Sequence, residues 1–158
     1  MSVKIILNEG ETAVASVSAI LRYTVNRASG VVDRKGGPQS CWKTDLNGVG
    51  AEMAFAKYKN LYPDFSTNPR QGGSDFKLIN GDEVDIKCTQ YKTGKLIVNK
   101  DKNTSKTKYY ILVIGEVPAF EIVGYATADE VFKNENLKEI YGRECYQIEQ
   151  CNLHQIQE

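Results

Sequence analysis

Asp75, Asp85 and Lys87 fall within one short stretch, Gly72 to Thr89 (GGSDFKLINGDEVDIKCT). Two acids and a base at this spacing can hold a cation and act on an anion. Ser74–Ile79 and Asp82–Thr89 are amphipathic runs on either side of Asn80-Gly81, a strong hairpin signal. In the second run Val84, Ile86 and Cys88 alternate with Asp85, Lys87 and Thr89. One face is therefore apolar, and the other presents an acid, a base and a hydroxyl at period two. In the first run Phe76 and Leu78 are apolar, while Asp75 and Lys77 point the other way.

The hairpin register decides whether the two carboxylates meet. A two-residue loop at Asn80-Gly81 would set Phe76 against Asp85 and mix core with polar positions. A three-residue loop, Ile79-Asn80-Gly81, with Gly81 in the left-handed position, pairs Phe76 with Val84 and puts Asp75 opposite Asp85. Side chains so opposed lie about 5 Å apart at Cβ. Carboxylates that close repel unless a proton or cation sits between them. A divalent metal held by hard oxygen ligands is the simplest occupant, and Mg²⁺ or Mn²⁺ suits such ligands. Lys87 is on the same face, within reach of whatever the metal binds.

A third acid must be delivered by an upstream helix. Leu46–Leu61 (LNGVGAEMAFAKYKNL) has helical character, with Asp45 or Asn47 available as N-cap. Glu52 stands among its apolar positions, where an acid is rarely buried without a partner. Gly48, Gly50 and Ala51 would let this turn approach the sheet closely. Each residue also has an ordinary explanation. Asp75 suits a turn, Asp85 and Lys87 suit a solvated pair on a half-exposed sheet, and Glu52 suits a salt-bridged helix acid. All three acids and the lysine in this order are less simply explained that way.

Glu52, Asp75 and Asp85-x-Lys87, carried by GVGAE, GGSD and VDIK, resemble the PD-(D/E)xK nuclease superfamily, which includes archaeal Holliday-junction resolvases and many phage and restriction-type endonucleases. The resemblance covers roughly Asp45 to Gly115. It departs from the common pattern in two places: Asp85 stands where Glu is commoner, and the helix usual after the third strand is barely visible. The resemblance implies that Asp75, Asp85 and the backbone carbonyl of Ile86 ligate Mg²⁺. It further implies that Glu52 binds a water on that metal or a second ion, and that Lys87 orients and helps deprotonate the attacking water or stabilises charge on the phosphate. No Gln-x-x-x-Tyr follows the motif lysine, as it does in exonuclease-type members, so endonuclease action is expected.

Around this centre the chain suits one domain. At 158 residues it can bury a sizeable core. Twenty basic and twenty acidic residues cancel, so no global basic signature marks it for nucleic acid. No apolar run has the length of a membrane span and no signal-peptide pattern opens the chain, so no membrane association and a cytoplasmic location are expected. Cys41, Cys88, Cys145 and Cys151 lack zinc-ligand spacing and read as reduced thiols, with Cys88 facing the core. A lone His154 argues against a histidine base unless the tail folds back.

Val3–Leu7 reads as a short strand or an apolar lead-in. Glu11–Ala28 reads as an amphipathic helix with Val14, Val17, Leu21, Val25 and Ala28 on its stripe and Arg22 and Arg27 off it. Residues 29–44 read as a loop carrying Arg34, Lys35 and Lys43, with Trp42 as a core anchor or a stacking platform. Tyr62–Asn68 is a strand candidate, and Lys95–Asn99 reads as a third strand of the sheet. Between Lys87 and Lys108, both included, seven lysines face the single acid Asp101. Lys100, Lys102 and Lys106 in that stretch are candidate phosphate contacts; a plain solvated loop is the alternative. Tyr109–Glu116 and Ala119–Ala126 read as buried and adjoining strands, Thr127 as the cap of a short helix, and Cys145–Ile156 as an edge strand. Residues 127–158, with seven acids and three bases, are expected to lie away from nucleic acid.

The expectation is an α/β domain: a central mixed β-sheet flanked by helices, with a restriction-endonuclease-like αβββαβ core over 45–126, an N-terminal helix and loop over 1–44 and an extension over 127–158. Its expected activity is Mg²⁺-dependent phosphodiester hydrolysis in DNA. The alternatives are a nuclease for RNA or branched junctions, or a non-catalytic binding or assembly protein. A homodimer is compatible with each.

Overall fold

The computed structural model describes residues 2–31, 40–67, 73–140 and 142–156. Its strongest local signals are helix caps. Asn8 accepts from the Glu11 N–H and the Glu11 side chain returns the bond, a capping box that starts α1 at Glu9 and carries it to Ala28. Ser40 accepts from the Lys43 N–H and opens α2, Cys41–Lys59, which ends at Asn60 in the left-handed region (φ 53°). Helix α2 thus begins earlier than expected, and Asp45 and Asn47 are buried within it rather than capping it.

Before α1 and after α2 run the strands of a five-stranded curled sheet, in the order β1-β6-β5-β3-β2. These are β1 (Val3–Ile6), β2 (Phe76–Lys77), β3 (Glu83–Thr89), β5 (Thr107–Glu116) and β6 (Ala119–Thr127). Strands β3 and β5 are parallel and the other pairs antiparallel, so the sheet is mixed. A parallel pair needs a crossover. Here β4 (Leu96–Asn99) and a 3₁₀ turn (Lys100–Thr104) supply it in place of a helix. Strand β4 does not join the main sheet as expected. It pairs with β8 (Arg143–Ile148), which pairs with β7 (Leu137–Ile140), to form a second sheet in the order β4-β8-β7. Strand β8 is therefore central rather than an edge. The short helix α3 (Ala128–Val131) follows β6 on a Thr127–Glu130 capping box.

Two apolar clusters lie on the two faces of the main sheet. On one, Val84, Ile86, Ile111, Val113 and Ile122 pack against Phe55, Met53, Ala51 and the α1 residues Ala15 and Ala19. On the other, Tyr110, Leu112 and Ile114 meet Leu96, Val98, Tyr146 and Ile148 of the second sheet. The β3 face expected to be polar lies beside β4, and Asp85 on it is buried. Trp42 packs at the margin of the helical core, edge-to-face with Tyr23. No strand forms over 62–67, Asn68 lies outside the described residues, and so do Arg34 and Lys35. Among the described residues no helix is long and apolar enough to cross a membrane.

Helix α1 departs most from the sequence reading. Val14, Val17, Ile20 and Leu21 are 44%, 57%, 51% and 47% exposed, whereas Ala15, Ser18, Ala19 and Asn26 are buried. The helix turns its small residues to α2, because interaxial distance depends on the side chains at the contact. Gly50 serves a similar end on α2. A Cβ there would come within 2.6 Å of Phe120 Cζ and 2.8 Å of Val117 Cγ2. Gly48, by contrast, faces open space.

Candidate active site

The β2–β3 hairpin takes the bulged register. Phe76 pairs with Val84 and Lys77 with Glu83, the Leu78 N–H donates to the Asp82 carbonyl, and Gly81 occupies the left-handed region at φ 86°. The ladder stops at Phe76, and Asp75 takes over its next contact. The Asp75 N–H donates to the Val84 carbonyl at 2.9 Å, and its Oδ2 accepts the Ile86 N–H at 2.6 Å. Without that carboxylate the Ile86 amide would lose its partner on the vacated edge. Ile86 shares the parity of Val84, so its carbonyl points to the same edge.

Asp75 consequently stands near both other acids. Burial pushes its carboxyl well above the usual range, and the neighbouring Glu52 and Asp85 push it further; the Ile86 N–H and Lys87 oppose them. Glu52, on α2, is bound at 2.8 Å by Nη1 of Arg22, whose Nη2 also donates to the Asp64 carbonyl. Burial works against the Arg22 charge, but Glu52, Asp64 and Asp75 outweigh it and hold the guanidinium above its ordinary value. Arg22 therefore ties α1 to the acid cluster from thirty residues upstream of Glu52. Its position off the apolar stripe was the only sequence signal of this role.

Asp85 is 2% exposed. Its Oδ2 forms an ion pair with Lys87, while Oδ1 lies 3.2 Å from Nζ of Lys102. The Lys102 ammonium also donates to the Gly73 carbonyl at 2.7 Å, bridging the 3₁₀ turn and the segment that leads into Asp75 over Asp85. Burial lowers the Lys87 ammonium, yet Asp85 and Asp75 more than offset it and keep it above the ordinary lysine range. Three acids and three cations thus share this corner of the sheet. Among the described residues no group of three or more His, Cys, Asp or Glu side chains is set to hold a metal ion.

The remaining lysines of the basic stretch are largely matched by acids. Lys100 pairs with Glu144, Lys95 with Glu149 at 2.6 Å and Lys108 with Asp82 at 2.8 Å. The acidic C-terminal region does not lie apart, since β8 and the residue after it deliver Glu144 and Glu149 to this side. Lys106 is exposed and has no ion pair among the described residues. His154 does fold back, but to β6 and α3: its Nε2 meets Glu130 at 2.6 Å and its backbone bridges to Tyr125. Cys88 faces the helical core, and burial pushes its thiol up to about 12.

Comparison with known proteins finds no matching family model, no matching curated protein and no matching solved structure.

Proposed function

We propose that this chain is a Mg²⁺-dependent nuclease of the PD-(D/E)xK type, with a restriction-endonuclease-like core, that hydrolyses phosphodiester bonds in DNA as an endonuclease. One observation carries the reading: the bulged register sets Asp75 beside Asp85 while α2 brings Glu52 to the same corner. Asp75, Asp85 and the Ile86 carbonyl would hold Mg²⁺ or Mn²⁺, with Glu52 beside them. The donor set is all oxygen, as a hard cation requires. The Asp75 carboxyl, which forms no ion pair among the described residues and which burial, Glu52 and Asp85 push upward, favours a further cation.

When bound, the ion supplies Lewis acidity and a water of lowered pKa. Lys87 adds fixed positive charge at the transition state and orients the attacking water. Its place two residues from Asp85 on the same strand face makes it a poor structural choice beside a metal and a good one beside a phosphate. Lys100, Lys102 and Lys106 are the proposed backbone contacts, Lys106 being the readiest of the three.

A second reading, a non-catalytic binding or assembly protein, is favoured by the ion pairs that already neutralise the acids and by the lack of a three-ligand cluster among the described residues. Cleavage assays separate the two. Plasmid, branched DNA and RNA substrates incubated with Mg²⁺, Mn²⁺ or EDTA are expected to show metal-dependent cutting, strongest on DNA. Lys87→Ala should cut about a hundredfold more slowly while retaining metal affinity. Absence of cutting on every substrate would leave the binding protein as the better reading.

A further inference from the structure

We infer that Lys102 is a resident cation of the acid cluster: a divalent ion displaces its ammonium from Asp85, and the freed ammonium then engages the substrate phosphate. The inference rests on the metal-site reading above and assigns Lys102 an exchange that the reading leaves open.

Asp85 has only two oxygens and almost no exposure, and Lys87 and Lys102 take one each. A metal ligated by Asp85 must therefore compete with an ammonium. The two lysines differ in how they are held. Lys87 rises from the middle of β3, paired in register with Leu112 of β5, on the strand that also carries Asp85, and its ammonium is held by Asp85 with Asp75 adding attraction. Lys102 reaches across from a five-residue 3₁₀ turn after β4, and its second partner is the uncharged Gly73 carbonyl. Losing Asp85 thus costs Lys102 one long contact and a neutral one.

Charge balance points the same way. Arg22 pairs with Glu52, and Lys87 and Lys102 both pair with Asp85, so the corner already holds as many cations as acids and a divalent ion adds two charges at short range. Moving Lys102 outward relieves part of this excess, and a phosphate relieves the rest. The lysine that holds the cluster closed becomes a positioning residue for the backbone of the nucleic acid.

Calorimetry with Mn²⁺ on the full chain tests this, using wild type, Lys102→Gln and Lys102→Arg, with Lys138→Gln, an exposed lysine of β7, as control. Lys102→Gln should bind Mn²⁺ about tenfold more tightly, because a competing charge is gone. It should melt lower without metal and gain more from Mn²⁺ than wild type does. Lys102→Arg and Lys138→Gln should keep the wild-type affinity. With Ca²⁺ in place of Mn²⁺, Lys102→Gln should bind a DNA duplex more weakly, its salt slope reduced by about 0.9. Equal Mn²⁺ affinity in wild type and Lys102→Gln, or weaker binding in the variant, overturns the exchange and leaves Lys102 a structural tie. Failure of every protein to bind Mn²⁺ at millimolar concentration overturns the metal site itself, and the exchange with it.

Discussion

Asp75 and Asp85 are the same residue type at opposed positions of one hairpin, yet the fold treats them oppositely. Asp75 accepts a backbone N–H and is repelled by two acids, whereas Asp85 is buried between two ammonium groups. Asp75→Asn keeps an acceptor for the Ile86 amide and removes the repulsion, so it should leave the melting temperature equal or higher while abolishing cleavage. Asp85→Asn leaves Lys87 and Lys102 without their charge partner and should cost on the order of 2 kcal/mol. Thermal melts of both variants check the contrast; equal shifts would refute it. The ordinary explanation of Asp85 as half of a solvated pair does not hold, because the residue is buried and Lys102 of the 3₁₀ turn covers it.

Glu130 offers a second test at the same scale. Hydrogen bonds from the Thr127 backbone, His154 and the Thr127 hydroxyl hold its carboxyl down at about 2, against burial. A depressed carboxyl contributes stability above its unfolded value of about 4.5 and loses it as pH falls toward 2. Acid melts of Glu130→Gln should therefore show a shallower loss of stability between those limits than wild type. The contribution is modest, since the side chain is 37% exposed and solvent screens it.

At the scale of elements, α2 is the part against which α1 and the main sheet pack. It runs along the sheet with Val49, Ala51, Ala54, Phe55 and Ala56 buried, and Gly50 is where it approaches the β5–β6 turn. Gly50→Ala gains up to about 1 kcal/mol of helix propensity. It also drives a methyl into Phe120 and Val117, and overpacking of that kind costs about 1–3 kcal/mol. The clash should win: denaturant melts are expected to show Gly50→Ala less stable and Gly48→Ala, which meets open space, equal or more stable. The displaced helix should also move Glu52, which sits half a turn on from Gly50.

For the molecule as a whole, α1 is unusual in what it leaves outside. Ala13, Val14, Val17, Ile20, Leu21, Thr24 and Ala28 form an exposed face without a charged residue. These side chains contribute little to the core, so Val17→Lys combined with Leu21→Lys should change stability by less than about 0.5 kcal/mol. Chemical denaturation checks this; a large loss would mean the face is covered. Arg22 on the same helix points elsewhere and holds Glu52, so Arg22→Ala should cost more than the two lysine substitutions together.

Features that depend on near neighbours in the chain were legible from residue order alone. The hairpin register followed from Asn80-Gly81 and from the need to keep Phe76 and Val84 on one face, and that register alone brought Asp75 to Asp85. The Thr127 cap, the inward Cys88 and the adjoining β5 and β6 were readable for the same reason: each depends on neighbours within a few residues. Only the tertiary structure decided the rest. Periodicity cannot tell which face of a helix is buried when small residues pack closer than large ones, so the Val14–Leu21 stripe was assigned inward and lies outward. Nor can it tell which sheet a strand joins, so β4 was placed in the main sheet although Leu96 and Val98 pair with β8. Arg22 reaches Glu52 and Lys102 reaches Asp85 through contacts between distant segments, and no local spacing encodes such contacts.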